Sequence, residues 1–238
     1  MVRQKEQPFC RNIGARKIGI MSGVEASAPT VAKALKLAGY PPVRKQTGKH
    51  LKRYCRPAAN DQWNIDFVEI GVDRVTGKKV ESLSVTDDHS RFTFSSDATT
   101  EATTDHVISV LEGLIRIHGV PRIIRSDHGT QWYSVSSGES RFDEWCGEWG
   151  IRHDMASIRT PEENGKVERY HGCLRAEAGL PKKGTVQEYS DLLQRYRAFF
   201  NHHRPHCSLG YRTPAEAYYK TVQCEYERRE HDRLLTVC

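Results

Sequence analysis

From Trp63 onward the hydrophobic pattern changes period in an order that few folds satisfy: three strand-like runs, then helix and strand in alternation. WNIDFVEIGV alternates and is rich in branched and aromatic residues, as a half-buried strand requires. A turn at Arg74-Val75-Thr76-Gly77-Lys78 leads into KVESLSVTDD, and RFTFSSD follows His89-Ser90, so a three-stranded antiparallel meander is expected. Residues 101–118 repeat at helical period, with Val107, Val110, Leu111, Leu114 and Ile115 on one face. After the Gly119-Val120-Pro121 break, RIIRSD reads as a short strand ending on Asp127. A loop at about 133–140, a Trp-bearing helix to Trp149 and a short strand in IRHDMAS follow. Thr160-Pro161-Glu162-Glu163 has the form of a capping box, opening a helix that runs to about Ala178. Pro181 to Gly184 break the chain before the amphipathic VQEYSDLLQRYRAFFNHH, and Pro214 opens a last short helix. The order implies an α/β fold, a mixed five-stranded sheet flanked by helices, with a C-terminal helical extension.

Charge divides the chain in another way. Residues 1–60 hold 13 Lys/Arg against two acids, Glu6 and Glu25, whereas the whole chain carries a net charge of only +6. A basic arm on an acidic body is the layout of one module that holds a polyanion and another that concentrates carboxylates. Within the arm, SAPTVAKALKLAG reads as a helix capped by Ser27, with Pro29 in its first turn and Gly39 stopping it. NIGARKIGIM offers a companion, making a helix-turn-helix remnant. PPVRKQTGKHLKRYCRP then carries no acid and reads as a phosphate-tracking linker, with Arg44, Lys45, Lys49, Lys52 and Arg53 as contacts.

No stretch approaches the roughly 20 apolar residues of a membrane helix. The N-terminal MVRQKEQPFCRN lacks the apolar region of a secretory signal, so an intracellular protein with no membrane partner is expected. The seven cysteines are scattered without a CxxC pair, which argues against a disulfide framework or a zinc ribbon. His202, His203, His206 and Cys207 cluster, but not at the spacing of a structural zinc site.

Three carboxylates stand where structure alone does not call for them. Asp66 lies in mid-strand, where Asp is depleted. Asp127 ends a short strand, the place where open α/β sheets present functional groups. Glu168 sits on a helix after 40 intervening residues, one turn beyond Asn164. Taken singly, a strand-end Asp caps a turn and a helical Glu is a solvated charge. Taken together, two strand acids and one helix acid can converge on a site for hard divalent cations, which take oxygen ligands. Two such ions about 4 Å apart supply what phosphodiester chemistry needs.

At these residues the chain resembles a known family. WNIDFVEI resembles the first-Asp strand of integrase-type transposases, TDDHSR their D-x-x-S-R turn and SDHGTQW their second-Asp motif. TPEENGKVERYHGCLRAE resembles their P-x-x-NG-x-x-E-R helix, and NHHRPHCSLGYRTPAEAY their closing RPH segment. The matches run in the family's order from residue 63 to about 218. The closing segment is similar to that of bacterial insertion-sequence transposases rather than retroviral integrases.

The resemblance implies a ribonuclease H-like catalytic core at 60–180, preceded by the basic DNA-binding arm at 1–59 and followed by the helical extension at 181–238. It implies a DDE transposase, with Asp66, Asp127 and Glu168 as catalytic residues and as ligands of Mg2+ or Mn2+, two ions in all. It further implies DNA, both transposon ends and target, as partner, with no small-molecule substrate. A homo-oligomer in the synaptic complex and a cytoplasmic, nucleoid-associated protein follow from it. On the Glu168 helix, His171 and Arg175 share the face of the acid at i+3 and i+7, and Lys166 and Arg169 border it, so all four are expected DNA contacts. Asp87 of TDDHSR is a rival acid that the family pattern makes structural. Two departures stand out: the interval before Glu168 is long for the family, with YSVSSGES as its insertion, and Gly172 occupies a position where relatives often carry a basic residue. The competing readings are a nuclease that only cuts, and an inactive or truncated copy acting as a DNA-binding regulator.

Overall fold

The computed structural model describes residues 9, 12–40, 55–127, 129, 140–156 and 165–223. Two short helices, α1 (Ala15–Met21) and α2 (Ala28–Leu37), precede the sheet. Strands β1 (Gln62–Asp73), β2 (Lys79–Asp87) and β3 (Thr93–Thr99) come next, then α3 (Thr104–His118), β4 (Ile123–Ser126), α4 (Arg141–Glu148) and β5 (Arg152–Met155). Helix α5 (Gly165–Glu177), strand β6 (Lys183–Gly184), helix α6 (Val186–His202) and a 3-10 turn at Cys207–Leu209 follow. A last helix, α7, occupies 214–223.

The sheet runs β3-β2-β1-β4-β5, with the first three strands antiparallel and β4 and β5 parallel to β1. It has six strands rather than the expected five. The break at Pro181 to Gly184 pairs in parallel with the end of β1, Val72 to Lys183 and Asp73 to Gly184. The reason lies in strand length. Short β4 pairs with β1 only from Gln62 to Asn64, which leaves the later half of β1 unpaired on that side, and β6 covers part of it. Gly71 is required here, because a Cβ at that position would overlap the Tyr189 hydroxyl, which itself donates to the Pro181 carbonyl at 3.0 Å.

Alternation along β1 feeds two cores. Trp63 and Ile65 face Val107 and Leu111 of α3 and Phe142 of α4. Val68 and Ile70 face Tyr170 and Leu174 of α5 and Leu193 and Tyr196 of α6. Trp63 is fully buried, tilted on Phe94 with 4.5 Å between ring centres, and its indole N–H donates to Asn60 at 2.9 Å.

Ser27 caps α2 by accepting from the Thr30 backbone, and positive-φ Gly39 follows the helix, as its sequence leads one to expect. Helix α1 docks on the α5–α6 side: Phe9 and Ile13 join that core, and Asn12 donates to the Ala176 carbonyl at 2.7 Å. Arg16 stacks over Tyr211 at 4.4 Å. Helix α2 buries no residue, and its Leu37 is 81% exposed. Arg44, Lys45, Lys49, Lys52 and Arg53 lie outside the described residues, as does the capping box at Thr160-Pro161-Glu162-Glu163. No helix among the described residues is long and apolar enough to cross a membrane.

Candidate active site

The sheet register brings the first two acids side by side. In the parallel β1–β4 pair, Gln62 lies beside Ile123, Trp63 beside Ile124 and Asn64 beside Arg125. Asp66 and Asp127 stand at the same 61-residue offset, two positions further on. Strand parity puts Asp66 on the face that carries Val68 and Ile70, towards α5, and its side chain is 16% exposed. Asp127 follows the last residue of β4, and its Oδ1 accepts from the Gly129 backbone at 3.0 Å.

The third acid arrives on α5. That helix buries Val167, Tyr170, His171 and Leu174 against the sheet and leaves Glu168, Gly172 and Arg175 on its outer side. His171 enters beneath Glu168, and its Nδ1 lies 3.5 Å from Asp66 Oδ2.

The charges of the other two acids both reach Asp66. Burial, and after it the Asp127 carboxylate, push Asp66 up to about 7; Glu168 adds to the shift, while a hydrogen bond from the Phe67 backbone and the Arg175 charge oppose it. Burial, seconded by Arg175, holds His171 down at about 3. The contact between His171 and Asp66 therefore joins a neutral imidazole to a carboxyl group that holds its proton near neutrality; it is not an ion pair. His171 Nε2 is buried without a partner. No three His, Cys, Asp or Glu side chains among the described residues form a ready metal cage. The donor set nonetheless suits a hard divalent cation, because carboxylate oxygens whose mutual repulsion forces one of them to keep a proton gain most when a cation replaces that proton.

Two family models, both described as integrase core domain, match the chain over residues 56–161 and 149–214. The chain belongs to the integrase core family. An uncharacterized protein of insertion element IS476 from Xanthomonas euvesicatoria is 26% identical over 76% of this chain and 51% of its own length. A second, of insertion element IS407 from Burkholderia multivorans, is 28% identical over 73% of this chain and 61% of its own. The chain thus spans about half to three-fifths of the curated relatives it matches. The crystal structure of the BIV integrase catalytic core domain superposes with a TM-score of 0.54 at 21% identity, covering 70% of this chain and 99% of that one. The fold is therefore the ribonuclease H-like one expected from the order of elements.

Within this integrase core, the expected DNA contacts on α5 separate into two groups. Arg169 and Arg175 are exposed, and Arg175 is within electrostatic range of Asp66. Lys166 turns inward instead, its ammonium 2.5 Å from a carboxylate oxygen of the buried Asp88 and 3.1 Å from the Asp88 carbonyl. His171 is likewise only 4% exposed. The helix thus presents Arg169 and Arg175 to solvent and keeps Lys166 and His171 largely inward.

Asp87, the rival acid, is fully buried. Its Oδ2 accepts from the Ser90 backbone and hydroxyl at 2.7 and 2.6 Å, and its Oδ1 from the Asn60 backbone at 2.9 Å. It organises the β2–β3 turn, which accounts for the D-x-x-S-R pattern. Arg204 of the RPH segment is spent on Glu177, and Asn201 brackets Thr93, accepting from its N–H and donating to its carbonyl. Sequence reading did not find the partners Asp88 and Glu177. Each lies far along the chain from the cation it neutralises, and no local pattern marks them.

Proposed function

We propose that this chain is a transposase that cleaves DNA at the ends of a mobile element and joins the freed ends to target DNA. The observation that carries the reading is the β1–β4 register that sets a half-buried Asp66 level with Asp127, with the charge of Glu168 in reach from α5. The insertion-element origin of the two relatives supports a mobile-element substrate over general nucleic-acid degradation.

Asp66, Asp127 and Glu168 would hold Mg2+ or Mn2+, two ions by this reading. Bound there, the ions would supply charge stabilisation at the scissile phosphate, at the attacking oxygen and at the departing 3′-oxygen. Asp66 would release its proton on binding a cation, because a carboxylate ligates deprotonated. Arg175 and Arg169, on the solvent side of α5, bind backbone phosphates beside the acids. The Lys/Arg of residues 44–53 would extend the contact along the duplex. Water attacks first and liberates a 3′-hydroxyl; that hydroxyl then attacks a target phosphodiester, forming one P–O bond as another breaks. No covalent protein–DNA intermediate is involved. Joining two ends calls for at least two copies of the chain, in a cytoplasmic complex on the nucleoid.

The test uses labelled duplexes bearing the element's ends, with Mn2+ and a target plasmid. Cleaved and joined products are expected from the native chain, and Glu168→Gln should lose both while still retarding DNA in a gel. Cleavage without joining would favour the nuclease reading, and retained cleavage by Glu168→Gln would refute the assignment of that acid.

A further inference from the structure

Beneath Asp127 runs a chain of buried hydrogen bonds that none of the three acids accounts for. Ser126, the last residue of β4, is fully buried, and its Oγ lies 2.8 Å from His153 Nε2 on the neighbouring strand β5. The other ring nitrogen of His153 is 2.5 Å from Asp143 Oδ1, on the first turn of α4. Asp143 is fixed in turn by a capping box, its Oδ2 accepting from the Ser140 hydroxyl at 2.7 Å. The order Asp-His-Ser is that of a nucleophilic triad, but Ser126 has no access to a substrate. Its hydroxyl also reaches the Asp127 carbonyl at 3.0 Å.

We propose that Asp143, His153 and Ser126 form a positioning relay that sets the direction of the Asp127 carboxylate towards the metal site. With Asp143 ionised, the imidazole proton belongs on Nδ1, facing the carboxylate. That choice fixes the ring plane and leaves Nε2 facing the Ser126 hydroxyl. The hydroxyl then stands between Nε2 and the Asp127 carbonyl, close enough to bond either. The peptide that ends β4 is thus held from below, while the Ser126 carbonyl accepts from the Ala156 backbone at 2.9 Å. Asp127 is the first residue beyond the β4 ladder, so without this support its backbone is free to turn just where its side chain must be aimed. The Gly129 backbone N–H, which donates to Oδ1 at 3.0 Å, holds the carboxylate itself. Supporting hydrogen bonds of this kind are typically worth 10- to 100-fold in metal affinity.

The relay rests on the reading of Asp127 as a metal ligand, so its test measures metal binding directly. Mn2+ is titrated into the full chain and the free-ion electron paramagnetic resonance signal is followed, with metal-free melting recorded beside it. Asp127→Asn should abolish tight binding. Ser126→Ala and His153→Gln should each weaken it about tenfold, with the metal-free melting temperature close to native. Asp143→Asn keeps the capping oxygen and is partly exposed; it should weaken binding in the same direction, and it carries the test if a buried variant fails to fold. In cleavage, the variants should need about tenfold more Mn2+ for half-maximal rate, yet recover the native rate at saturation. Native Mn2+ affinity in folded Ser126→Ala or Asp143→Asn, with Asp127→Asn deficient, overturns the relay alone. Native affinity in Asp127→Asn overturns the metal site itself, and the relay with it.

Discussion

Arg204 grips both carboxylate oxygens of Glu177, Nη2 on Oε1 at 2.7 Å and Nε on Oε2 at 2.8 Å, with both side chains more than nine-tenths buried. The Tyr196 hydroxyl donates to the same Oε2 at 3.0 Å. The pair ties the end of α5 to the segment after α6. Removing one partner leaves an uncompensated buried charge, so Arg204→Ala should cost about 3–5 kcal/mol in urea denaturation. Replacing both residues with apolar ones of similar volume should cost far less. Equal losses in the single and double variants would show that the charge pairing is not what the position needs.

Asp66 predicts how the metal-free protein responds to pH. Its folded-state pKa is raised from 3.8 to about 7, so its protonated form is favoured by folding. The contribution is therefore fully present below about pH 4, and it is lost as pH rises through 7. The swing is up to about 4 kcal/mol, since each unit is worth about 1.4. Asp66→Asn should flatten this part of the melting profile. Added Mg2+ or Mn2+ should stabilise the native chain more at pH 8 than at pH 5. A native profile identical to that of Asp66→Asn would contradict the buried, crowded carboxyl.

Gly71 should not tolerate a side chain. A Cβ there overlaps the Tyr189 ring and comes within 3.1 Å of the Pro181 carbonyl. Gly71→Ala should destabilise by about 1–3 kcal/mol, the usual range for forced overpacking. It should also speed hydrogen exchange at the Val72 and Arg74 amides, which donate to Lys182 and Gly184. Unchanged exchange would mean that β6 does not depend on this close approach.

Gly172 offers the reverse case. It lies on the exposed side of α5 with nothing within 4 Å of a Cβ placed there. Gly172→Lys should stabilise the helix by up to about 1 kcal/mol. It should also tighten DNA binding and steepen its salt dependence by about one unit of log–log slope. A stabler chain with unaltered DNA binding would place this face of α5 away from the phosphates.

Much of this molecule is legible in the sequence because its signals are local. Ser27 announces a helix start, strand alternation around Asp66 marks β1, and RIIRSD holds β4, which stops one residue before Asp127. Strand β6 is two residues long, too short to show a period, and exists because β4 leaves β1 uncovered. The inward turn of Lys166 depends on Asp88, which arrives from 78 positions earlier. Helical spacing put His171 on the face of Glu168, but it could not say that His171 packs inward against Asp66 while Glu168 stays exposed.

One attachment has a mechanical meaning. Asn12 fastens the start of the chain to the far end of α5 while Phe9 packs on α6, and Lys166 fastens the near end of α5 to the β2–β3 turn. The helix that bears Glu168 is thus a beam clamped at both ends, and one clamp belongs to the pair α1–α2. A pull on the segment before α1 would therefore bear, through Asn12, on the helix that carries the third acid.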